Sequence, residues 1–245
     1  MNEYILISII TFTLSIIFSM GGAGSGIALI PILHFLGFDF NIAKATGLFA
    51  GGITTVTSSI MNIKRKAVEY KILIPIAVAM LSFAPIGAYL SKFINPEYIK
   101  FTFMLFLFYA ATMMLFKKKK ALFHITNPIS LFFIGTFVGL LAGILGVGGG
   151  NILIPLLALI GFEPKKVAVA VSFVVPFSAL SSFATYASYI HLDWVLLAVV
   201  AISAIIGGYI GNYLMYFKLE QKDIKKLMAL ILYILAIKML ISFLH

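Results

Sequence analysis

Residues 20–31 read MGGAGSGIALIP, and residues 145–155 read LGVGGGNILIP. Two glycine clusters, each inside an apolar run and each followed by a proline, are an unusual pair of features. The chain around them is 245 residues long, 62% hydrophobic and only 11% charged. A soluble domain carries about 25% charged residues to cover its surface. Here the charge is short punctuation between long apolar runs, and runs of roughly 20 apolar residues span a bilayer core as helices. The composition therefore predicts an all-α polytopic membrane protein. The net charge of +10 needs no nucleic acid, because lysines beside membrane spans mark cytoplasmic loops. With no cysteine in the chain, disulfides, thiolate nucleophiles and sulfur-ligated metals are excluded.

Ten apolar segments follow from the pattern: 4–20, 26–37, 42–62, 72–93 and 99–116, then 129–145, 151–162, 167–190, 194–217 and 224–244. The basic run 117–120 and Asn127-Pro128 separate the two sets. With an offset of 124, Gly22, Gly24, Gly26, Pro31 and Gly37 fall on Gly146, Gly148, Gly150, Pro155 and Gly161. One inserted residue then brings Ala45 onto Ala170. Further on, Glu69-Tyr70 falls on Asp193-Trp194, and IGAYLSKF from Ile86 falls on IGNYLMYF from Ile210. A series of this kind at one spacing is an internal duplication, dividing a single membrane domain into repeats 1–120 and 121–245.

Loop charge decides how each repeat crosses the membrane. If residues 4–37 formed one kinked span, alternation would place nine Lys or Arg on each side. That offends the positive-inside rule. If the chain instead turns back at the glycines, 14 basic residues share one side, and Lys44, Lys92, Lys100 and Lys238 lie toward the other. The hairpin is selected. Each repeat then makes an odd number of crossings, so the halves are inverted, as in many secondary transporters. Each is expected to hold a glycine-broken hairpin with a short half-helix, plus three spanning helices. The basic loops should face the cytoplasm and both termini the outside of the cell membrane.

Segments 26–37 and 151–162 contain twelve residues each, about 18 Å of helix against a hydrocarbon core of about 30 Å. They are expected to be half-helices starting near the membrane centre, with Ser25 and Asn151 at N-cap positions. Free amides at such a terminus, with the helix dipole behind them, favour an anion. Two of them from inverted halves would converge on one site. The expected anion contacts are Gly24, Ser25, Gly26, Gly148, Gly149, Gly150 and Asn151. Thr46 and Ser172, in the third segment of each repeat, are expected supporting donors. Pro31 and Pro155 bound the short segments, and Pro176 should kink its span as a hinge.

The eight carboxylates all sit at segment ends or loops. A cation pathway usually buries an acidic residue in mid-span, so the substrate class is a small anion held by amides and hydroxyls, with no fixed countercharge. The four histidines also lie at segment ends, and no metal, cofactor or enzymatic acid–base pair is expected.

The GxGxG…P element, the Ala-(Thr/Val)-(Gly/Ser) step after it, the basic loop ending in Val-Glu-Tyr or Leu-Asp-Trp, and the later Ile-Gly element resemble the sulfite exporter TauE/SafE family. GILGVGGGNILIP is the closer of the two glycine motifs; Ala23 and Ser25 loosen the first. The resemblance covers nearly the whole chain. It implies transport of sulfur oxyanions or organosulfonates such as sulfite or sulfoacetate, generally as export. The expected function is thus a secondary transporter of a small anion working by alternating access. An anion channel with the same central site, or a transporter of another small solute, is the alternative.

Overall fold

The computed structural model describes residues 2–115, 127–159, 162–217 and 221–244. The basic run 117–120 and the boundary between the expected repeats lie outside the described residues. Among the described residues ten α-helices follow one another: α1 (Asn2–Met20), α2 (Gly26–Phe35), α3 (Phe40–Lys64), α4 (Tyr70–Leu90), α5 (Pro96–Leu115), α6 (Pro128–Leu145), α7 (Gly150–Leu159), α8 (Pro164–Ala187), α9 (Trp194–Phe217) and α10 (Gln221–Leu244). They coincide with the ten apolar segments to within a few residues. Seven are long and apolar enough to cross a membrane: α1, α4, α5, α6, α8, α9 and α10. Helix α3, at 25 residues, is also long enough. Its threonines, serines and glycines lower its hydropathy because it faces protein, not lipid.

The helix ends are written in local chemistry. Asp39 accepts the amides of Asn41 (2.8 Å) and Ile42 (3.4 Å) ahead of α3. Asn127 accepts the Ile129 amide ahead of α6, with Pro128 in the first turn. Helices α1 and α6 both stop at a left-handed glycine, Gly22 at φ 79° and Gly146 at φ 75°. Beyond each, an amide reaches back across the turn, from Ala23 to the Phe18 carbonyl and from Val147 to the Ala142 carbonyl, both at 3.0 Å. This is the Schellman closure, and glycine accepts its φ without a Cβ penalty.

Packing obeys the same duplication. Helix α1 lies along α9 and α4 lies along α6, pairs that exchange when five is added to or subtracted from each helix number. Both contacts depend on glycine. Gly135, Gly139 and Gly143 bring α6 onto the backbone of α4, and Gly207 and Gly211 bring α9 onto α1. Such small-residue stripes let membrane helices approach closely.

Directions give the relation between the halves. Corresponding helices α3 and α8 cross antiparallel, since Asn62 meets Ser172, Gly52 meets Leu180 and Phe49 meets Phe183. Helices α5 and α10 are antiparallel too, with Phe101 against Phe243 and Thr112 against Tyr233. Both pairs run in the directions that inverted repeats would require. The inserted residue expected near Ala45 is not present. Helices α2 and α7, α3 and α8, and α4 and α9 each begin 124 residues apart. An insertion would rotate α8 by about 100° and turn its packed face away from α3.

Candidate functional site

The two short helices start inside the protein, level with the middles of α3 and α8. Each has ten residues, about 15 Å of helix. Space for a Cβ is missing at both starts. At Gly24 it would strike the backbone of Gly51, and at Gly26 the carbonyl of Gly47. At Gly150 it would touch Val171 and Val175 of α8. Glycine here lets α2 lie directly on the α3 backbone.

Between the two starts lies a central void of about 10 Å³ lined by Gly24, Gly26, Gly51, Gly148, Gly150 and Asn151, among others. Gly24 and Gly148, and Gly26 and Gly150, are equivalent across the repeats. The space holds a single water. A three-oxygen anion is several times larger than this space.

The expected site residues divide into two groups. Gly24, Gly26, Gly148, Gly150 and Asn151 meet at the void; Ser25, Gly149, Thr46 and Ser172 do not line it. Ser25 holds the cap position of α2, but its side chain caps nothing. Its hydroxyl instead pairs with Ser15 (3.0 Å) and Thr54 (3.2 Å), which tie the hairpin turn to α1 and α3. In the second repeat the cap is Gly149, whose carbonyl accepts the amides of Ile152 and Leu153. Asn151 is therefore inside the first turn of α7, not at its cap. Its amide oxygen is buried without a partner among the described residues. Gly149 takes φ 75° and faces Met80, Val138 and Ala142. Thr46 is buried with its hydroxyl unpartnered among the described residues, whereas Ser172 accepts from Asn62 at 2.9 Å. Pro31 and Pro155 do not end the short helices; both lie inside them. There they leave the carbonyls of Ile27 and Asn151 without the usual i+4 amide. Pro176 lies within α8. Ser178, one of the serines on that helix, donates to the Gly148 carbonyl at 2.7 Å and so orients the turn at the void.

Polar clusters flank the void on either side. Toward the end of α3, Asn62 donates to Ser172, Asn212 reaches Asn62 at 3.4 Å, and Arg65 donates to Asn212 at 2.7 Å. Toward the end of α8, the Tyr186 hydroxyl lies 2.8 Å from Ser91 Oγ and 3.1 Å from the Gly143 carbonyl. Tyr189 donates to the Ala88 carbonyl at 3.2 Å. Adding 124 carries Asn62 to Tyr186 and Arg65 to Tyr189, and subtracting it carries Asn212 to Ala88. The same three positions thus build both clusters with different chemistry.

One charge departs from expectation. Lys44 belongs to the basic residues expected toward the outer face, and the interior was expected to carry no fixed cation. Instead Lys44 is fully buried, with its Nζ 4.7 Å from the centre of the Tyr186 ring. Position 44 in the first turns of α3 points between helices because Phe40 and Ala43, on the same face, are also buried.

A family model described as sulfite exporter TauE/SafE matches residues 7–239. The chain is 24% identical to the probable membrane transporter protein YunE of Bacillus subtilis (strain 168), over 97% of each chain. It is 31% identical to a probable membrane transporter protein of Methanocaldococcus jannaschii, over 74% of this chain and 71% of that one. A probable membrane transporter protein of Haemophilus influenzae is 27% identical, over 97% and 94% respectively.

Proposed function

Because the chain belongs to the sulfite exporter TauE/SafE family and is a multi-span membrane transporter, we propose that it moves a small sulfur oxyanion or organosulfonate, such as sulfite or sulfoacetate, out of the cell by alternating access. The observation that carries this reading is the convergence of two glycine-started half-helices, one from each repeat, on one void. Backbone amides at Gly26, Gly150 and Asn151 come before the first amides bonded within their helices, those of Ala28 and Ile152, and are available to oxygen atoms of an anion. The glycines keep side chains out of the way. Asn151 adds a side-chain amide at the void whose oxygen has no partner among the described residues and whose NH2 is a donor suited to an anion.

Alternating access, not a channel, is favoured by the two polar clusters. Each lies on one side of the void and each crosses between repeats, so opening one while holding the other exposes the site to one compartment at a time. In this reading repeats 1–120 and 121–245 rock against each other. The loop with Lys64, Arg65 and Lys66 faces the cytoplasm, and the Tyr4 and Asp193 ends of α1 and α9 face outward across the plasma membrane.

Flux into proteoliposomes, screened with sulfite, thiosulfate, sulfate and small organosulfonates, is the test. Saturable flux with counterflow is expected for at least one of them. Unsaturable flux without counterflow makes the protein a channel, and no flux of any of these anions defeats the substrate class.

A further inference from the structure

We propose that Lys44, with the aromatic faces around it, forms a second anion site between an outer vestibule and the central void; this assignment rests on the anion-transporter reading above. Lys44 is 0% exposed, and its ammonium has no hydrogen-bond partner among the described residues. Its surroundings are π faces, Tyr186 at 4.7 Å and Phe40 at 5.4 Å from Nζ to ring centre. Cation–π attraction offsets part of the desolvation, but a lone buried charge remains costly. The nearby carboxylate, Asp39, is exposed and accepts the α3 cap amides; among the described residues no ion pair joins it to Lys44. Packing does not require the charge either, since methionine would fill the same space. An uncompensated ionisable group at this depth marks a functional position.

Its place in the fold says what the charge serves. The aliphatic stem lies across Gly146, where a Cβ would sit within 2.9 Å of three of its carbons. Two residues on, Gly148 lines the central void. On the other side, the Tyr186 hydroxyl bonds Ser91, and Ser91 lines a vestibule of about 370 Å³ together with Asp39, Lys92, Tyr189 and His191. Vestibule, Ser91–Tyr186 pair, Lys44, Gly146 and void thus follow one another. The equivalent position in the second repeat is Ala168, packed on Gly22. The duplicated fold accepts alanine there, so the cation belongs to one face only. When Tyr186 swings aside, an oxyanion reaches a preformed countercharge on the outer half of the path. The binding chemistry is one oxyanion, singly or doubly charged, whose oxygens accept from an ammonium, with Tyr and Ser hydroxyls beside it.

The test uses sodium sulfite on the full chain in detergent, at constant ionic strength against gluconate, reading the melting temperature. Wild type is expected to be stabilised saturably. Lys44→Met is expected to lose at least tenfold in apparent affinity and to melt higher than wild type without sulfite, because the unpaired charge is gone. Lys44→Gln covers the case of a poorly folding methionine variant, and Lys44→Arg should keep sulfite stabilisation within severalfold. Equal sulfite affinity in wild type and Lys44→Met, or none in wild type, overturns the site. Flux separates the two readings. A wild type that binds sulfite through Lys44 but carries none across liposomes defeats transport and leaves the site standing. Flux that Lys44→Met leaves unchanged defeats the site and leaves the transporter standing.

Discussion

Asn62 and Tyr186 stand 124 residues apart at equivalent positions of the two repeats, and each is fully buried in a polar cluster on its own side of the void. Asparagine on one side and tyrosine on the other bond across to the opposite repeat through different donors. In the alternating-access reading proposed above, the two sides are separately adjustable.

Weakening one cluster should bias the protein toward opening on that side. Tyr186→Phe and Asn62→Ala each remove buried hydrogen bonds, and a net loss of about 1 kcal/mol is roughly a fivefold shift in population. Ala179→Cys in this cysteine-free chain places a thiol at the void. Its labelling by a membrane-impermeant reagent should rise about fivefold from outside with Tyr186→Phe and from inside with Asn62→Ala. A rise on the same side for both would remove the clusters from the gating reading.

Alanine at the half-helix start should be damaging where alanine elsewhere is mild. A Cβ at Gly26 collides with the Gly47 carbonyl, and at Gly37 it meets nothing within 4 Å. Gly26→Ala is expected to cost about 3 kcal/mol through forced backbone movement. Gly37→Ala, strained only by its φ of 97°, should cost about 1 kcal/mol. Thermal denaturation of the two variants in the same detergent checks the order.

At Asn151, charge should matter more than shape. Asn151→Asp preserves volume but adds a negative charge at the void. Against an anion a few ångströms away, the repulsion is on the order of 4 kcal/mol at an effective dielectric near 20. Flux should fall further than in Asn151→Ala at matched expression. An aspartate variant that transports like wild type would move the anion away from this helix start.

The first turns of α1 and α9 are joined by Tyr4, which donates to Asp193 at 2.6 Å. That bond, with the amides of Leu196 and Val195, holds the Asp193 carboxyl below its ordinary value. A lowered carboxylate contributes stability above its unfolded value and loses it as pH falls through the folded one. Tyr4→Phe should therefore melt slightly lower than wild type at neutral pH, and the difference should shrink toward zero in strong acid. A difference that grows in acid would reverse the assignment.

Much of this protein is determined by periodicity and composition alone. Uncharged runs set the ten helices, and the repeated glycines mark two places where a helix begins too late to span, because helix length is linear in residue number. Loop charge adds the expectation of inverted halves, since a lysine is costly to carry across a bilayer. Side-chain roles were not legible in the same way. Ser25 and Asn151 look alike as caps in the sequence, yet one hydroxyl is taken by Ser15 and Thr54, and the other residue lies in the first turn of its helix. Those outcomes depend on which helix from a distant part of the chain arrives beside them. Lys44 shows the same limit most plainly. Its neighbours in sequence place it near a loop, but Tyr186, 142 residues away, and the bare backbone of Gly146 enclose it. Burial is a property of the surfaces that meet around a residue, and only the packing of one repeat on the other brings those surfaces together.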